Sequence, residues 1–428
     1  MIAIRPIAVD LFAGAGGMTL GFEQAGFDVL ASVEIDPIHC ATHQFNFPFW
    51  RIFCKDIANI SGAEIRNGSK IGNQEIDVIF GGPPCQGFSL MGKRIFDDPR
   101  NALVFHYIRL VHELQPKFVV LENVKGMTQG KHREFILEII CEFAKIDYQV
   151  FPDYQVLNAA EFGVPQNRER LFLLACRQDL ALPKYPLPIT KSAKKHKLIN
   201  HNLPLTPTVR EALQDLPYIE DYPELLIRDW VIAKFGKSSN YVKQLHHAVN
   251  DYSYRRRYVH KKLTSSLRTI HSEELKQRFQ DTLPGQKETV SRFYKLDFDG
   301  ICNTLRAGTA SNRGAFTSPR PIHPEIPRCI TVREAARLHS YPDWFRFHVT
   351  KWHGFRQVGN SVPPLLAKAI ASEIIKVLDI LPSKPTTRKN LGNENLLQLT
   401  MSQAAKKYGV KSDIIEPRIK IKKENLLK

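Results

Sequence analysis

Cysteine is scarce and scattered, with seven in 428 residues. An odd number, with no two spaced as C-x-x-C, excludes a disulfide framework and the usual pairing of a structural zinc site. No metal is therefore expected. Long apolar runs are also missing. None approaches the roughly 20 residues of a membrane span, and the best, Leu171 to Cys176, has the length of a strand. The N-terminal apolar stretch carries Asp10 and lacks an export-signal pattern, so the expectation is a cytoplasmic protein with no membrane contact. Acidic charge is short as well: 43 Asp and Glu face 60 Lys and Arg, a formal net charge of +17. The remainder is ordinary. A hydrophobic fraction of 43% and a charged fraction of 24% exclude wholesale disorder and fibrous classes, and the length suits two or three domains.

The basic excess is unevenly placed. Residues 1–180 together with 331–380 hold 24 basic and 25 acidic side chains, residues 181–330 hold 25 and 14, and residues 381–428 hold 11 and 4. A neutral portion joined to two basic ones suggests a catalytic body with separate polyanion-binding surfaces.

Texture along the chain gives the domain plan. Ile7 to Phe12, Val29 to Val33, Ile76 to Phe80, Phe118 to Leu121 and Leu171 to Cys176 are short apolar runs bounded by Gly, Pro, Asp or Asn. Amphipathic stretches such as Asn101 to Gln115 and Lys131 to Lys145 lie between them. Strands buried on both faces and alternating with helices predict an α/β, doubly wound, mostly parallel sheet. Prolines 183, 186, 188, 204 and 207 mark a boundary near residue 180. Thr208 and Thr331 each open a Thr-x-x-Glu capping box. Pro363 and Pro364 precede an apolar stripe from Leu365 to Leu378, a helix able to return and pack on the first domain. In the tail, Ser402 is expected to cap a short helix, and Ala405 and Gly409 resemble the first helix and turn of a helix-turn-helix, within a stretch read as loosely ordered.

The candidate chemistry sits at strand ends. Phe12-Ala13-Gly14-Ala15-Gly16-Gly17 follows the first strand, where glycines let backbone approach a ligand. Glu34 ends the second strand, placed to accept hydrogen bonds from ribose hydroxyls. The displaced third glycine suits a nucleoside such as S-adenosylmethionine better than a dinucleotide, and a purely structural turn is the competing reading. Gly81-Gly82-Pro83-Pro84-Cys85-Gln86 follows the strand ending at Phe80. Isolated cysteines are most often buried and structural, but two rigid prolines and glycine flanks at the carboxyl end of a buried strand favour a nucleophile. Glu122-Asn123-Val124 ends the next strand, and Gln166-Asn167-Arg168-Glu169-Arg170 leads into the last. Alternation sends Arg168 and Arg170 to one face, either to hold an anion or as a surface ion-pair face.

In this order the motifs resemble those of the DNA (cytosine-5)-methyltransferases, the resemblance covering nearly all of residues 7–180 and 326–379. It implies a Rossmann-like fold with a smaller, basic target-recognition domain. The domains are then 1–180 (catalytic, cofactor-binding), 181–350 (target recognition), 351–380 (a segment returning to the catalytic domain) and 381–428 (a basic tail). It implies S-adenosylmethionine as cofactor, held by Phe12, Gly14, Gly16, Gly17, Glu34, Asp56, Ile57, Pro83, Asn360 and Val362. Cys85 is implied as nucleophile and Glu122 as the acid at ring nitrogen 3. Arg170 would hold the cytosine carbonyl oxygen and Arg168 support the loop. Duplex DNA is the implied partner, contacted by Gln86, Ser89, Lys93 and Arg94 beside the nucleophile and by Arg255, Arg256, Arg257, Lys261 and Lys262 in the basic domain. A bacterial, nucleoid-associated monomer with a cognate restriction endonuclease is the expected setting. A methyltransferase acting on RNA and a catalytically dead regulator are the alternatives.

Overall fold

A computed structural model of the chain describes residues 5–84, 102–130, 132–191, 202–308 and 320–415. Eight strands, β1 (Ile7–Leu11), β2 (Asp28–Glu34), β3 (Arg51–Cys54), β4 (Val78–Gly81), β5 (Phe118–Val124), β6 (Tyr148–Val150), β7 (Gln155–Asn158) and β8 (Glu169–Arg177), form one sheet. Its order is β3-β2-β1-β4-β5-β8-β6, with β7 also paired to β8. The first five strands run parallel. β8 lies antiparallel to β5, β6 and β7.

Alternation along the strands sorts side chains between two cores. Ala8, Val78, Phe80, Phe118, Val120, Phe172 and Leu174 face one layer, while Val9, Leu11, Ile79, Val119, Leu121, Leu171 and Leu173 face the other. The first layer is covered by α1 (Gly17–Ala25) and by helices from the end of the chain. α2 (Pro37–Asn46) follows β2 and packs on β3. The second layer is covered by α3 (Gly62–Asn67), α4 (Ala102–Leu114) and α5 (His132–Lys145). Helices on both faces of a mostly parallel sheet make the fold α/β and doubly wound.

The middle of the chain is built mainly of short elements: α6 (Val209–Leu213), β9 (Val231–Ile232), α7 (Asn240–His247), β10 (Arg256–Arg257), β11 (Lys262–Leu263) and α8 (Glu273–Asp281). Both expected capping boxes form, opening α6 and α9 (Val332–Leu338). α9 carries buried charge. Arg328 makes two 2.8 Å bonds to Glu334, and Arg337 is held by Asp215 and Asp343. Against the upward push of burial, Arg328 draws the Glu334 carboxyl down to about 2. After α10 (Lys351–Asn360), Pro364 opens α11 (Pro364–Val377), which packs along α1 as the stripe predicts.

The tail departs from its reading as a loose basic segment. It holds β12 (Lys389–Asn390), paired with β10, and α12 (Met401–Tyr408), packed on α2. Leu397, Ala404 and Ala405 are buried. The helix is capped by Thr400 through a box with Gln403, not by Ser402.

Candidate active site

The sheet order reverses between β1 and β4, and a ligand crevice is expected there, beyond the carboxyl ends of the strands. A cavity of about 400 Å³ occupies that place. Its wall draws on the turns after β1, β2 and β4, the end of β5, Arg170 on β8, and residues 356–362 of the returning segment. Of the expected residues, Phe12, Gly14, Gly17, Glu34, Pro83, Glu122, Arg170, Asn360 and Val362 border it.

The turn after β1 is shaped by backbone. Phe12 has φ of 65°, a left-handed conformation that a bulky residue adopts at a strain of roughly 1–2 kcal/mol. A Cβ built at Gly17 would lie 2.6 Å from Tyr341 Oη and 2.7 Å from Val362 O. Only glycine lets the returning segment approach so closely. At Gly14 a Cβ would meet nothing within 4 Å, because that face opens on the cavity. Glu34 is fixed by backbone amides: Gly14 N donates to Oε2 at 2.7 Å and Asp36 N to Oε1 at 2.8 Å.

The far end of the cavity holds a partly buried ion pair. Glu122 Oε1 lies 2.8 Å from Arg170 Nε, with side-chain exposures of 13% and 14%. Burial raises the Glu122 carboxyl above its ordinary value, and the opposing pull of Arg170 and Arg168 does not cancel the effect. The backbone at Gly82 runs against this carboxylate, since a Cβ there would sit 2.5 Å from Oε2. Asn123, next in the strand, donates from Nδ2 to Pro83 O at 3.0 Å. The Pro-Pro turn is thereby tied to the strand that carries the acid.

Four expected residues do not border the cavity. Gly16 packs toward the Phe47 ring. Asp56 caps a short 3₁₀ turn by accepting from Ala58 N, and Ile57 is buried in the second core. Neither is among the residues that line the cavity. Arg168 is fully buried and donates to Leu305 O and Gly359 O, both at 2.7 Å. It bonds backbone and is not among the residues that line the cavity, an arrangement consistent with a supporting role for Arg168 beside Arg170.

The basic candidates also divide. Arg255, Arg257 and Lys261 are exposed. Lys262 pairs with Glu394 at 2.8 Å. Arg256 is not a phosphate contact: its guanidinium makes two 2.8 Å bonds to Glu23, and both side chains are fully buried. Cys85, Gln86, Ser89, Lys93 and Arg94 lie outside the described residues.

Sequence reasoning missed several residues of the cavity. Asp10, buried at its rear, accepts from Thr19 Oγ1 at 2.5 Å, and burial holds its carboxyl well above the ordinary value. A carboxylate inside an otherwise apolar strand was the signal. Asp36 is held below its usual range by His39 and Arg356, against the upward push of burial. Arg356 lies 3.2 Å from it, and no local pattern marks this pairing. Among the described residues, no group of three or more His, Cys, Asp or Glu could hold a metal ion. No described helix is long and apolar enough to cross a membrane.

Comparison with known proteins agrees with this geometry. The C-5 cytosine-specific DNA methylase family profile matches residues 7–376. The Type II methyltransferase M.XorII of Xanthomonas oryzae pv. oryzae is 55% identical over 417 residues, 97% of this chain and 95% of that protein. M.DdeI, a Type II methyltransferase of Desulfomicrobium norvegicum, is 32% identical over 386 residues, 86% of this chain and 88% of its own. A crystal structure from Escherichia coli, described as a prophage-encoded DNA modification methyltransferase, superposes with a TM-score of 0.71 at 33% identity, covering 88% of this chain and all of that one. With strand order, cavity and the Glu122–Arg170 pair in place, these matches show that the chain belongs to the C-5 cytosine-specific DNA methylases and is a DNA (cytosine-5)-methyltransferase.

Proposed function

We propose that the protein methylates carbon 5 of a cytosine turned out of duplex DNA, through a transient bond from Cys85, using S-adenosylmethionine. We infer that it serves as the modification enzyme of a Type II restriction–modification system, working as a monomer beside an endonuclease of the same specificity. The Type II methyltransferases to which it is similar support that setting. The observation that carries the chemical reading is the partly buried Glu122–Arg170 pair set against the Gly82–Pro84 turn.

The cavity suits the methyl donor. The open face at Gly14 admits a ligand against backbone, Glu34 stands where ribose hydroxyls would be met, and Asn360 and Val362 close the opposite side. When bound, S-adenosylmethionine supplies the methyl group that an activated carbon 5 takes. The other steps belong to the protein and the base. The Cys85 thiolate adds to carbon 6, and the displaced electron pair makes an enamine that is nucleophilic at carbon 5. Neutral Glu122 donates toward ring nitrogen 3 and offsets the charge that addition leaves there. Arg170 holds the cytosine carbonyl oxygen and the acid in one arrangement. After transfer a base removes the carbon-5 proton, the electron pair returns to the ring and the thiolate leaves. None of this is possible within stacked bases, so the cytosine must be extruded.

We propose that residues 181–350 read the DNA sequence, with Arg255, Arg257 and Lys261 on phosphates. DNA affinity should then fall steeply with salt, and the triple alanine variant at these positions should lower the log–log slope by about 0.9 for each phosphate no longer neutralised. An unchanged slope in fluorescence anisotropy titrations would remove them from the interface. The covalent route is tested with cognate DNA carrying 5-fluorocytosine, which cannot lose a proton from carbon 5. With methyl donor present it should trap a stable adduct through Cys85, seen by mass spectrometry of the peptide. A tRNA substrate methylated in preference to duplex DNA would favour the RNA alternative.

A further inference from the structure

The tail beyond α11 lies behind the cofactor wall. From β12, which pairs with β10, the chain runs to Gly392, whose amide donates to Phe45 O on α2 at 2.8 Å. A Cβ at Gly392 would lie 2.9 Å from the Phe45 Cα, so this crossing is close. Glu394 then bridges Lys262 at 2.8 Å and Arg346 at 2.9 Å. Leu397 O accepts from Val349 N at 3.0 Å, and Leu399 O lies 3.0 Å from His348 Nε2. α12 follows on the outer side of α2, and Tyr408 Oη donates to Gln44 Oε1 at 2.7 Å.

The end of this path matters most. Tyr408 and Val410 pack against a small cluster of Ala13, Cys40, Ile52 and Cys54. Ala13 belongs to the turn that lines the cavity. Cys40 donates its thiol to Glu34 O at 3.3 Å, and Cys54 donates to Ile35 O at 3.8 Å. The cluster is thus the rear of the wall whose front presents Ala13, Glu34, Ile35 and His39 to the cavity. Side chains of a ligand site hold their geometry only when the layer behind them is packed. Here that layer is supplied by residues far along the chain.

We propose that residues 389–410 are a clamp on the methyl-donor site, with Tyr408 as its principal positioning residue. The tail acts on cofactor affinity and not as an additional DNA contact. This rests on the reading that the cavity takes S-adenosylmethionine.

The full chain and its Tyr408→Ala and Tyr408→Phe variants test the proposal. Tyr408→Ala should raise the calorimetric Kd and the KM for S-adenosylmethionine about tenfold, with kcat at saturating donor and DNA Kd each within about twofold of wild type. Tyr408→Phe, which loses only the bond to Gln44, should fall between. Cys40 and Cys54 should react with N-ethylmaleimide faster in Tyr408→Ala, as read by peptide mass spectrometry, because their cover is gone. If Tyr408→Ala does not fold, Val410→Ala carries the same comparison with about a threefold shift expected. Unchanged donor affinity in the variants, beside a wild type that binds, would overturn the clamp alone. Equal losses of donor and DNA affinity, or a loss of DNA affinity only, would overturn it too. A wild-type protein that bound no S-adenosylmethionine would overturn the donor reading and the clamp with it.

Discussion

Cys85→Ala should abolish methyl transfer, by at least about 10⁴-fold, while DNA still binds within a few-fold of wild type. Removal of a covalent nucleophile leaves only binding and electrostatic assistance, and those cannot make carbon 5 of cytosine nucleophilic. Glu122→Gln separates the acid from the nucleophile. The amide can still donate one hydrogen bond beside Arg170 but cannot give up a proton, so kcat should fall about 10²- to 10³-fold with KM for DNA nearly constant. The pH profile supplies the sign. Burial raises the Glu122 carboxyl, so its neutral, active form persists to higher pH than in an ordinary carboxyl and is lost as pH rises through that raised value. The alkaline limb of kcat should therefore carry this group, and Glu122→Gln should flatten it. Single-turnover rates across pH would show this. An alkaline limb unaltered by Glu122→Gln would remove Glu122 from the acid role.

The second large effect concerns stability. Glu23 on α1 and Arg256 on β10 form a two-bond ion pair with both side chains fully buried. Glu23 also accepts from Tyr254 N at 2.9 Å. The Arg256 guanidinium lies 4.5 Å from the Trp344 ring centroid and 4.8 Å from that of Phe49. Glu23→Ala would leave the arginine charged, desolvated and short of acceptors. Breaking one half of such a pair destabilises by about 3–5 kcal/mol, a large share of the roughly 5–15 kcal/mol that folds a domain. Urea unfolding should show the midpoint falling with the slope unchanged. Arg255→Ala and Arg257→Ala, on exposed neighbours, should leave the stability within about 0.5 kcal/mol of wild type. Three consecutive arginines thus separate into one that holds the fold and two that are free for an anion. A Glu23→Ala protein as stable as wild type would contradict this division.

The same pair shows where sequence reading runs out. Neighbouring arginines look alike in a sequence, and the partner of Arg256 lies 233 residues earlier. Strand existence was legible because β1, β2, β4, β5 and β8 are apolar on both faces and end in turn residues. β3 escaped, since its four residues begin with an exposed arginine and offer too little pattern. The antiparallel direction of β8 was not legible either, because local composition carries no strand direction. The tail was misread for a different reason. Its basic average hid Leu397, Ala404, Tyr408 and Val410, of which only Ala404 and Tyr408 lie on the short helix packed on α2, and a two-turn period carries little weight by itself. At the site, Glu122, Glu34 and the glycine turn, which border the cavity, stood out because each is a distinctive residue type at the end of an apolar strand. Asp56 and Ile57 were assigned from motif order alone, and neither is among the residues that line the cavity. Arg356 and His39 were missed because their neighbours come from distant turns.

The close contact at Gly359 bears on engineering. A Cβ there would lie 2.4 Å from Ala307 N, Arg168 bonds to the carbonyls of both Leu305 and Gly359, and Gln166 Oε1 accepts from Leu305 N at 3.0 Å. Residues 302–307 are therefore tied to the same sheet domain as Arg168 and Gly359, although they belong by sequence to the basic middle. Chimeras made to exchange specificity should keep this stretch and Gly359 from the same parent, with their splice points placed outside it. A graft that cuts through it would mismatch the seam and lose the active geometry, even if the new recognition loops folded correctly.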